Sequence, residues 1–204
     1  MDSTLIYEIE DSLPGWVCKE MIRRFEASPD KQKRSRIGVT ADHEGILDLE
    51  RRDSFEISVS DEPEWKDIDG LLFKALHDAV EKYKHECAKF AADTLGEDYD
   101  FIKTTQFGSN DEFDTGYIVQ RVTPESWFRW HHDFTRDDRY LTCIWYLNDL
   151  SEEDGGATQF LCGRSVQPKE GKLLLFPATW TNIHSGKFIH KTKYICTAAF
   201  HFSP

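Results

Sequence analysis

Hydrophobic and polar positions divide the chain into a helical first half and a second half of short strands. Apolar residues at three- and four-residue steps predict one long helix over residues 63–90 and a shorter one over residues 14–25. From residue 101 onward little helical periodicity remains, and short runs between acidic or Gly-rich turns predict strands. Helices followed by antiparallel strands indicate an α+β fold, with helices bracing one face of a sandwich or barrel.

The pattern also predicts where several elements begin and end. Ser12 is expected to cap the first helix, with Pro14 in its first turn. The polar, partly basic residues 28–44 predict a loop, which is either a solvated connection or a lid over a substrate. Strands are predicted over residues 5–9, 52–59, 117–122, 127–134, 140–147, 156–161, 172–176 and 194–202.

Length and composition favour a single globular domain over residues 1–204, with residues 1–100 as support and residues 101–204 as the β core. The net charge of −12 argues against nucleic acid as a partner. The five cysteines are widely spaced and lack a C-x-x-C pair, so a reducing compartment is expected. No secretory signal or membrane-spanning apolar run is evident, and a soluble, cytoplasmic protein without a membrane partner is predicted.

Candidate chemistry is concentrated in the stretch Trp-His-His-Asp-Phe at residues 130–134. Side chains alternate along a strand, so His131 and Asp133 should share one face while His132 points away. A third imidazole, His184, follows later in the chain. Two histidines and one carboxylate form the facial triad of non-haem iron sites. His-x-Asp alone is a weak signal and also fits an ordinary surface strand, and a bulge before Asp133 would exchange His132 for His131.

Alternation in two later strands predicts a cavity. Residues 140–147 place large apolar side chains on one face and a smaller, partly polar set on the other, which are Leu141, Cys143, Trp145 and Leu147 against Tyr140, Thr142, Ile144 and Tyr146. In the last strand, Lys193 shares a face with Thr197 and other small residues. A lysine that points inward needs an anionic partner, because a buried unpaired ammonium is costly.

These pieces together resemble the Fe(II)- and 2-oxoglutarate-dependent dioxygenases, in particular their prolyl 4-hydroxylase-like branch. Six motifs occur in the family's order between residues 117 and 202. They are His131-x-Asp133, the strand 141–148, Gly-Gly-Ala-Thr-Gln-Phe at 155–160, the segment 166–177 with its Pro-Lys-x-Gly turn, His184-Ser185-Gly186, and Lys193-Tyr194.

The resemblance implies a double-stranded β-helix, a jelly-roll or cupin-like barrel with the metal at its open end. It implies that His131, Asp133 and His184 bind Fe(II), and that Lys193 pairs with the distal carboxylate of the cosubstrate 2-oxoglutarate. Tyr146 would add a hydroxyl hydrogen bond to that carboxylate. Thr197 would line the pocket, and ascorbate is allowed as an accessory reductant. Asp133, where halogenases of the family have Gly or Ala, favours hydroxylation.

The implied reaction uses O₂ to hydroxylate an unactivated C–H bond and releases succinate and CO₂. A prolyl residue of a peptide or protein is the first expectation for the substrate. Hydroxylation of a free amino acid or small metabolite is the second, and a catalytically silent barrel that binds metal or ligand is the third. Candidates for the substrate side are Tyr117, Arg121, Trp127 and Arg129, with Trp130 and Trp180 nearby.

Overall fold

The computed structural model describes residues 2, 4–38, 45–96, 112–134 and 139–202. Two helices precede most of the strands: α1 (Gly15–Ala27) and α2 (Lys66–Leu95), which follows a 3-10 turn at Pro63–Trp65. Asp67 and Asp69 in the first turn of α2 complement its dipole, and Gly96 ends it with a positive φ of 57°. No helix in the described ranges is both long and apolar enough to cross a membrane.

The two predicted helices are confirmed, but the predicted cap of the first one is wrong. Pro14 is the N-cap of α1, ahead of the first turn, and no side chain caps the helix. Ser12 instead accepts a 3.0 Å hydrogen bond from the indole Nε1–H of Trp145. Trp145 is fully buried, and its N–H must find an acceptor there. Ser12 therefore makes a contact with a distant part of the chain and does not cap the helix.

The described residues contain twelve strands in two antiparallel sheets. The larger sheet has the order β1-β10-β7-β12-β5-β3-β2, with β4 also paired to β12, and the smaller has the order β6-β11-β8-β9. The strands are β1 (Tyr7–Ile9), β2 (Lys33–Arg34), β3 (Ser54–Ser58), β4 (Glu112–Asp114), β5 (Ile118–Val122), β6 (Phe128–His131), β7 (Arg139–Tyr146), β8 (Thr158–Phe160), β9 (Ser165–Val166), β10 (Leu173–Pro177), β11 (His184–Gly186) and β12 (Lys193–Phe202).

Each strand predicted from the sequence overlaps one of these, whereas β2, β4, β9 and β11 were not predicted. All four have two or three residues, too few for alternation to show. The predicted loop 28–44 contains β2, which pairs with β3, and Ile37 forms a bridge to Ile46. Residues 39–44 of that loop lie outside the described part of the chain.

The larger sheet buries a different core on each face. One face packs on the helices, with Phe25, Leu72 and Trp145 all fully buried in the same cluster. The other face meets the smaller sheet through a second cluster that includes Ile144, Phe160 and Phe176. Helices on one face and a second sheet on the other confirm the predicted α+β class, and the two sheets leave room between them for a site.

Register in the larger sheet aligns the inward-facing side chains. Lys193 of β12 lies opposite Val122 of β5, which lies opposite Ser54 of β3. Alternate residues of these three strands therefore form one wall between the sheets. Lys193, Thr197, Val122, Gln120, Ser54 and Glu56 all contribute to the cavity there.

Candidate metal centre

Three ligand-type side chains converge at one end of the space between the sheets. His131 ends β6 and lies directly opposite His184 of β11, and Asp133 follows two residues after His131. One potential ligand atom from each of the three lies within 4.8 Å of the others. The i and i+2 relation predicted for His131 and Asp133 holds, although β6 ends at His131 and Asp133 lies beyond it.

Backbone carbonyls fix the orientation of both imidazoles. Nδ1 of His131 lies 2.7 Å from the carbonyl oxygen of Arg129, and Nδ1 of His184 lies 3.0 Å from that of Asn182. With Nδ1–H donated to a carbonyl, the lone pair belongs to Nε2. Each Nε2 lies 3.6 Å from a different oxygen of Asp133. Two imidazole nitrogens and one carboxylate facing a common point are the donor set that divalent iron takes in oxygenases.

Neighbouring side chains hold the three ligands in place. The hydroxyl of Thr142 donates a 2.7 Å hydrogen bond to Oδ2 of Asp133. The ring of Phe128 stacks on His131 with 3.6 Å between centroids, and Phe176 packs edge-on against His184 at 4.7 Å. Hydrogen bonds and packing of this kind fix ligand orientation and tune affinity for the metal.

Protonation at neutral pH also suits a metal. Burial lowers the pKa of His131 to about 4, and the neighbouring His184 adds to that effect. Burial acts to raise the pKa of Asp133, but His184 and His131 outweigh it and hold this pKa below the usual range. A neutral imidazole and an ionised carboxylate are the forms that bind metal.

A cavity of about 270 Å³ opens beside the three ligands and contains the predicted lysine. Lys193 is only 6% exposed, and its Nζ donates a 2.6 Å hydrogen bond to the carbonyl oxygen of Gly156. Burial lowers the pKa of Lys193 to about 7. Within the described ranges no carboxylate pairs with it. An anion that entered the cavity would meet a lysine without a described carboxylate partner.

Of the two other residues predicted for this pocket, Thr197 lines the cavity and Tyr146 does not. Thr197 lines it and accepts a 3.2 Å hydrogen bond from Nε2 of Gln120. Tyr146 is fully buried behind the lining, and its hydroxyl donates a 2.7 Å hydrogen bond to Thr158, which does line the cavity. Nζ of Lys193 lies 5.3 Å from the Tyr146 ring centroid. The roles given to both residues stay predictions.

Of the four candidates for the substrate side, Trp127 lines the cavity. The prediction is wrong for Tyr117 and Arg121, because the alternation of β5 turns both side chains toward the helices. Tyr117 is buried in the helix-side core, and Arg121 binds Glu26 at 2.8 Å. Arg129 is exposed and donates to a backbone carbonyl. Sequence reasoning missed Arg52 at the cavity, and it placed Thr142 on the cavity face without predicting its hydrogen bond to Asp133.

Comparisons with known proteins agree with this geometry. Residues 117–201 match the sequence model of the 2OG-Fe(II) oxygenase superfamily. No curated protein matches the chain in sequence.

Solved structures of prolyl hydroxylases share the fold. A prolyl hydroxylase of Trichoplax adhaerens, in complex with a peptide fragment of the hypoxia inducible factor oxygen degradation domain, is 16% identical with a TM-score of 0.70 over 98% of this chain and 84% of that one. A Pseudomonas putida prolyl-4-hydroxylase is 16% identical, with a TM-score of 0.65 over 99% and 95%. The viral collagen prolyl hydroxylase of Paramecium Bursaria Chlorella virus-1, in its 2OG complex, is 15% identical, with a TM-score of 0.64 over 100% and 98%.

The matched segment contains all three converging side chains and the buried lysine, and the remainder of the chain completes a fold that prolyl hydroxylases share. Sequence match, fold and donor set lead to the same conclusion. Residues 117–201 are similar in sequence to the 2OG-Fe(II) oxygenase superfamily, and the fold of the chain is similar to that of prolyl hydroxylases.

Proposed function

We propose that this protein hydroxylates an unactivated C–H bond of a prolyl residue in a peptide or protein and converts 2-oxoglutarate to succinate and CO₂. The observation that carries the proposal is a buried lysine without a carboxylate partner among the described residues, in the same cavity as two histidines and an aspartate. A metal ligand set and an unpaired cation are the two features that a chelating dicarboxylate cosubstrate needs.

Each side chain then has a specific role. His131, Asp133 and His184 would hold Fe(II), which supplies activation of O₂ when bound. Lys193 would form a salt bridge with the distal carboxylate of 2-oxoglutarate, and Thr197 would line that pocket. We assign Tyr146 to the same carboxylate, which requires its hydroxyl to leave Thr158. The two facing sheets would form the double-stranded β-helix, and ascorbate would serve as an accessory reductant.

The preference for a prolyl substrate rests on two observations. Structures similar in fold are prolyl hydroxylases, one of them in complex with a peptide. Trp127 presents an indole to the cavity and stacks with Phe188 at 5.9 Å between centroids. Such an apolar wall suits a pyrrolidine ring. Both aromatic side chains remain more than one-third exposed, which leaves an apolar surface beside the cavity for a polypeptide.

A second candidate is hydroxylation of a free amino acid or small metabolite, which the small volume of the cavity favours. A catalytically silent barrel is the third. The complete ligand set and the retained Lys193 weigh against it, because a silent protein would have no use for a buried cation of this cost.

Release of CO₂ from 2-oxoglutarate, with Fe(II) and a panel of prolyl peptides and free amino acids, tests the proposal. We expect the wild type to release CO₂ and at least one panel member to gain the mass of one oxygen atom. His184→Ala should abolish both signals, whereas His132→Ala should retain them, because His132 is exposed and outside the ligand cluster. Equal behaviour of wild type and His184→Ala would reject the enzymatic proposal.

A further inference from the structure

We propose that Arg52 binds a carboxylate of the substrate and thereby selects substrates that carry a carboxylate close in space to the reacting carbon. This inference rests on the proposed function, since it names the substrate class of the same cavity. Arg52 is a candidate because its guanidinium lies at the wall of the cavity, is nearly buried, and is only partly satisfied by described neighbours.

Arg52 is fixed close to the metal ligands. Its backbone forms a bridge to Phe128, just ahead of β3, and its side chain is only 14% exposed. The guanidinium carbon lies 4.9 Å from the centroid of the Phe128 ring, and the same ring stacks on His131. A single aromatic side chain thus contacts both the guanidinium and an expected iron ligand. A group bound by Arg52 would therefore lie near the reacting centre.

The described partners of Arg52 leave donor capacity for a ligand. Nε donates to the Ser54 hydroxyl at 3.0 Å, and Nη1 approaches the Arg36 carbonyl oxygen at 3.5 Å. Nη2 lies 3.7 Å from Glu56, which is beyond hydrogen-bond length. A guanidinium has five N–H donors and matches a carboxylate with two parallel bonds. Burial lowers the pKa of Arg52 even though Glu56 and Asp133 act to raise it, as expected for a cation without full compensation.

Arg52 and Lys193 are held by different neighbours, the Phe128 ring and Ser54 for Arg52 and the Gly156 carbonyl for Lys193. Lys193 is opposite Val122, and Val122 is opposite Ser54, which accepts the hydrogen bond from Arg52. Two strand spacings separate the backbones of Lys193 and Ser54 by about 10 Å. The cosubstrate would use its distal carboxylate at Lys193 and its other carboxylate at the metal. A second carboxylate site on this wall therefore addresses a different molecule, which is the substrate.

The charge of the cavity supports an anionic substrate. The whole chain carries a net charge of −12, yet basic side chains outnumber acidic ones in the described lining. The basic members are Arg36, Arg52, Arg139, Lys187 and Lys193, and the acidic members are Asp53, Glu56 and Asp133. Such an inversion of charge within a cleft concentrates anions there.

Matched acid and amide probes test this inference directly. One pair is L-proline and L-prolinamide, which tests whether the protein recognises the carboxylate of a free amino acid. A second pair is an N-acetylated peptide with Glu or Gln next to an internal proline, and a third is a peptide that ends in proline as acid or amide. Binding can be followed by tryptophan fluorescence, since Trp127 lines the cavity, in the presence of Mn(II) and 2-oxoglutarate.

At least one acid probe should bind about 10- to 100-fold more tightly than its amide partner to the wild type, because a charge-assisted bidentate pair is lost in the amide. Arg52→Gln should remove that preference and Arg52→Lys should restore part of it. Arg51→Gln is the matched control, because Arg51 is its exposed neighbour and pairs with Asp48 outside the cavity lining. The pair that shows the preference identifies whether the carboxylate belongs to a free amino acid or a peptide.

Three results would overturn the inference. These are equal binding of acid and amide in all pairs by the wild type, failure of every acid probe to bind at millimolar concentration, and a preference that persists in Arg52→Gln. The first comparison needs only wild-type protein, so a variant that fails to fold does not prevent the test. Release of CO₂ with any amide probe would leave the proposed function standing, whereas acid preference without CO₂ release would reject that function alone.

Discussion

The ammonium of Lys193 lies 2.6 Å from the carbonyl oxygen of Gly156, and this neutral acceptor provides the single hydrogen bond described for it. Gly156 has a positive φ of 72°, and a Cβ there would approach Ile189, Leu150 and the stem of Lys193. The tight turn thus lets a backbone carbonyl reach a buried cation that no described carboxylate neutralises. The protein thus holds in position a lysine whose charged form is costly before any anion arrives.

Lys193→Met should therefore stabilise the ligand-free protein. The pKa of Lys193 is about 7 in the folded protein against 10.5 for an unperturbed lysine. Between these values the unfolded chain binds more protons, so wild-type stability should rise with pH from about 7 to 10.5 through this group. The gain from Met should be greatest below pH 7, on the order of a few kcal/mol, and shrink as pH rises. Denaturant unfolding at pH 6.5, 8 and 9.5 would measure it.

Lys193→Glu should weaken binding of 2-oxoglutarate by at least about 100-fold, because a repulsive carboxylate replaces the expected partner of the distal carboxylate. Metal binding should remain, since Lys193 is outside the ligand cluster. Titration of 2-oxoglutarate into the Mn(II)-loaded protein checks this. Unchanged cosubstrate affinity would show that the distal carboxylate is held elsewhere.

Alanine at His131, Asp133 or His184 should remove stoichiometric binding of Fe(II) or Mn(II), because two ligands alone hold a divalent ion weakly. His132→Ala is the adjacent control and should bind the metal like the wild type, as its side chain is exposed. Metal content after anaerobic loading and desalting gives the answer. Loss of metal in His132→Ala with retention in His131→Ala would mean that the ligand assignment is off by one residue.

Thr142→Val should weaken metal affinity by about 10- to 100-fold, the usual effect of losing a hydrogen bond to a ligand. The change removes the hydroxyl that donates to Asp133 while keeping a similar shape. Thr142→Ser keeps the hydroxyl and should retain most of the affinity. Competition with a fluorescent chelator would rank the three proteins, and equal affinities would show that the Asp133 carboxylate is positioned without Thr142.

Gly171→Ala should destabilise the fold more than Gly163→Ala. Both glycines have positive φ, 79° and 91°, so alanine at either one costs about 1–2 kcal/mol in backbone strain. At Gly171 a Cβ would also collide with the carbonyl oxygen of Leu13, whereas at Gly163 nothing lies within 4 Å. Thermal unfolding of the two variants checks the order. Similar melting temperatures would show that the lead into α1 moves easily away from β10.

Alternation along single strands predicted much of the site. It placed His131 and Asp133 together, set His132 apart, and turned Thr142 and Lys193 toward one cavity. These predictions hold because the side-chain direction in a strand depends on parity alone and does not depend on the exact end of the strand. The long helix followed in the same way from its apolar period.

Contacts between distant parts of the chain could not be predicted in this way. Ser12 has the residue type of a helix cap but accepts a hydrogen bond from Trp145, more than a hundred residues away. Tyr117 and Arg121 lie close in sequence to β6, yet the alternation of side chains along β5 turns them to the helix side. A β-bridge to Phe128 places Arg52 at the cavity, and no local sequence pattern predicts this bridge.

The parity of β7 also constrains how this protein can change. One face of β7 packs against the helices through Leu141, Cys143 and Trp145, and the other lines the cavity through Thr142 and Ile144. Neighbouring positions in this strand therefore belong alternately to the core and to the cavity. Deletion of one residue early in β7 would turn an indole toward the candidate metal centre and a hydroxyl into the apolar core. Point substitutions can therefore retune the pocket one position at a time, whereas insertions and deletions within this strand would damage scaffold and active site together.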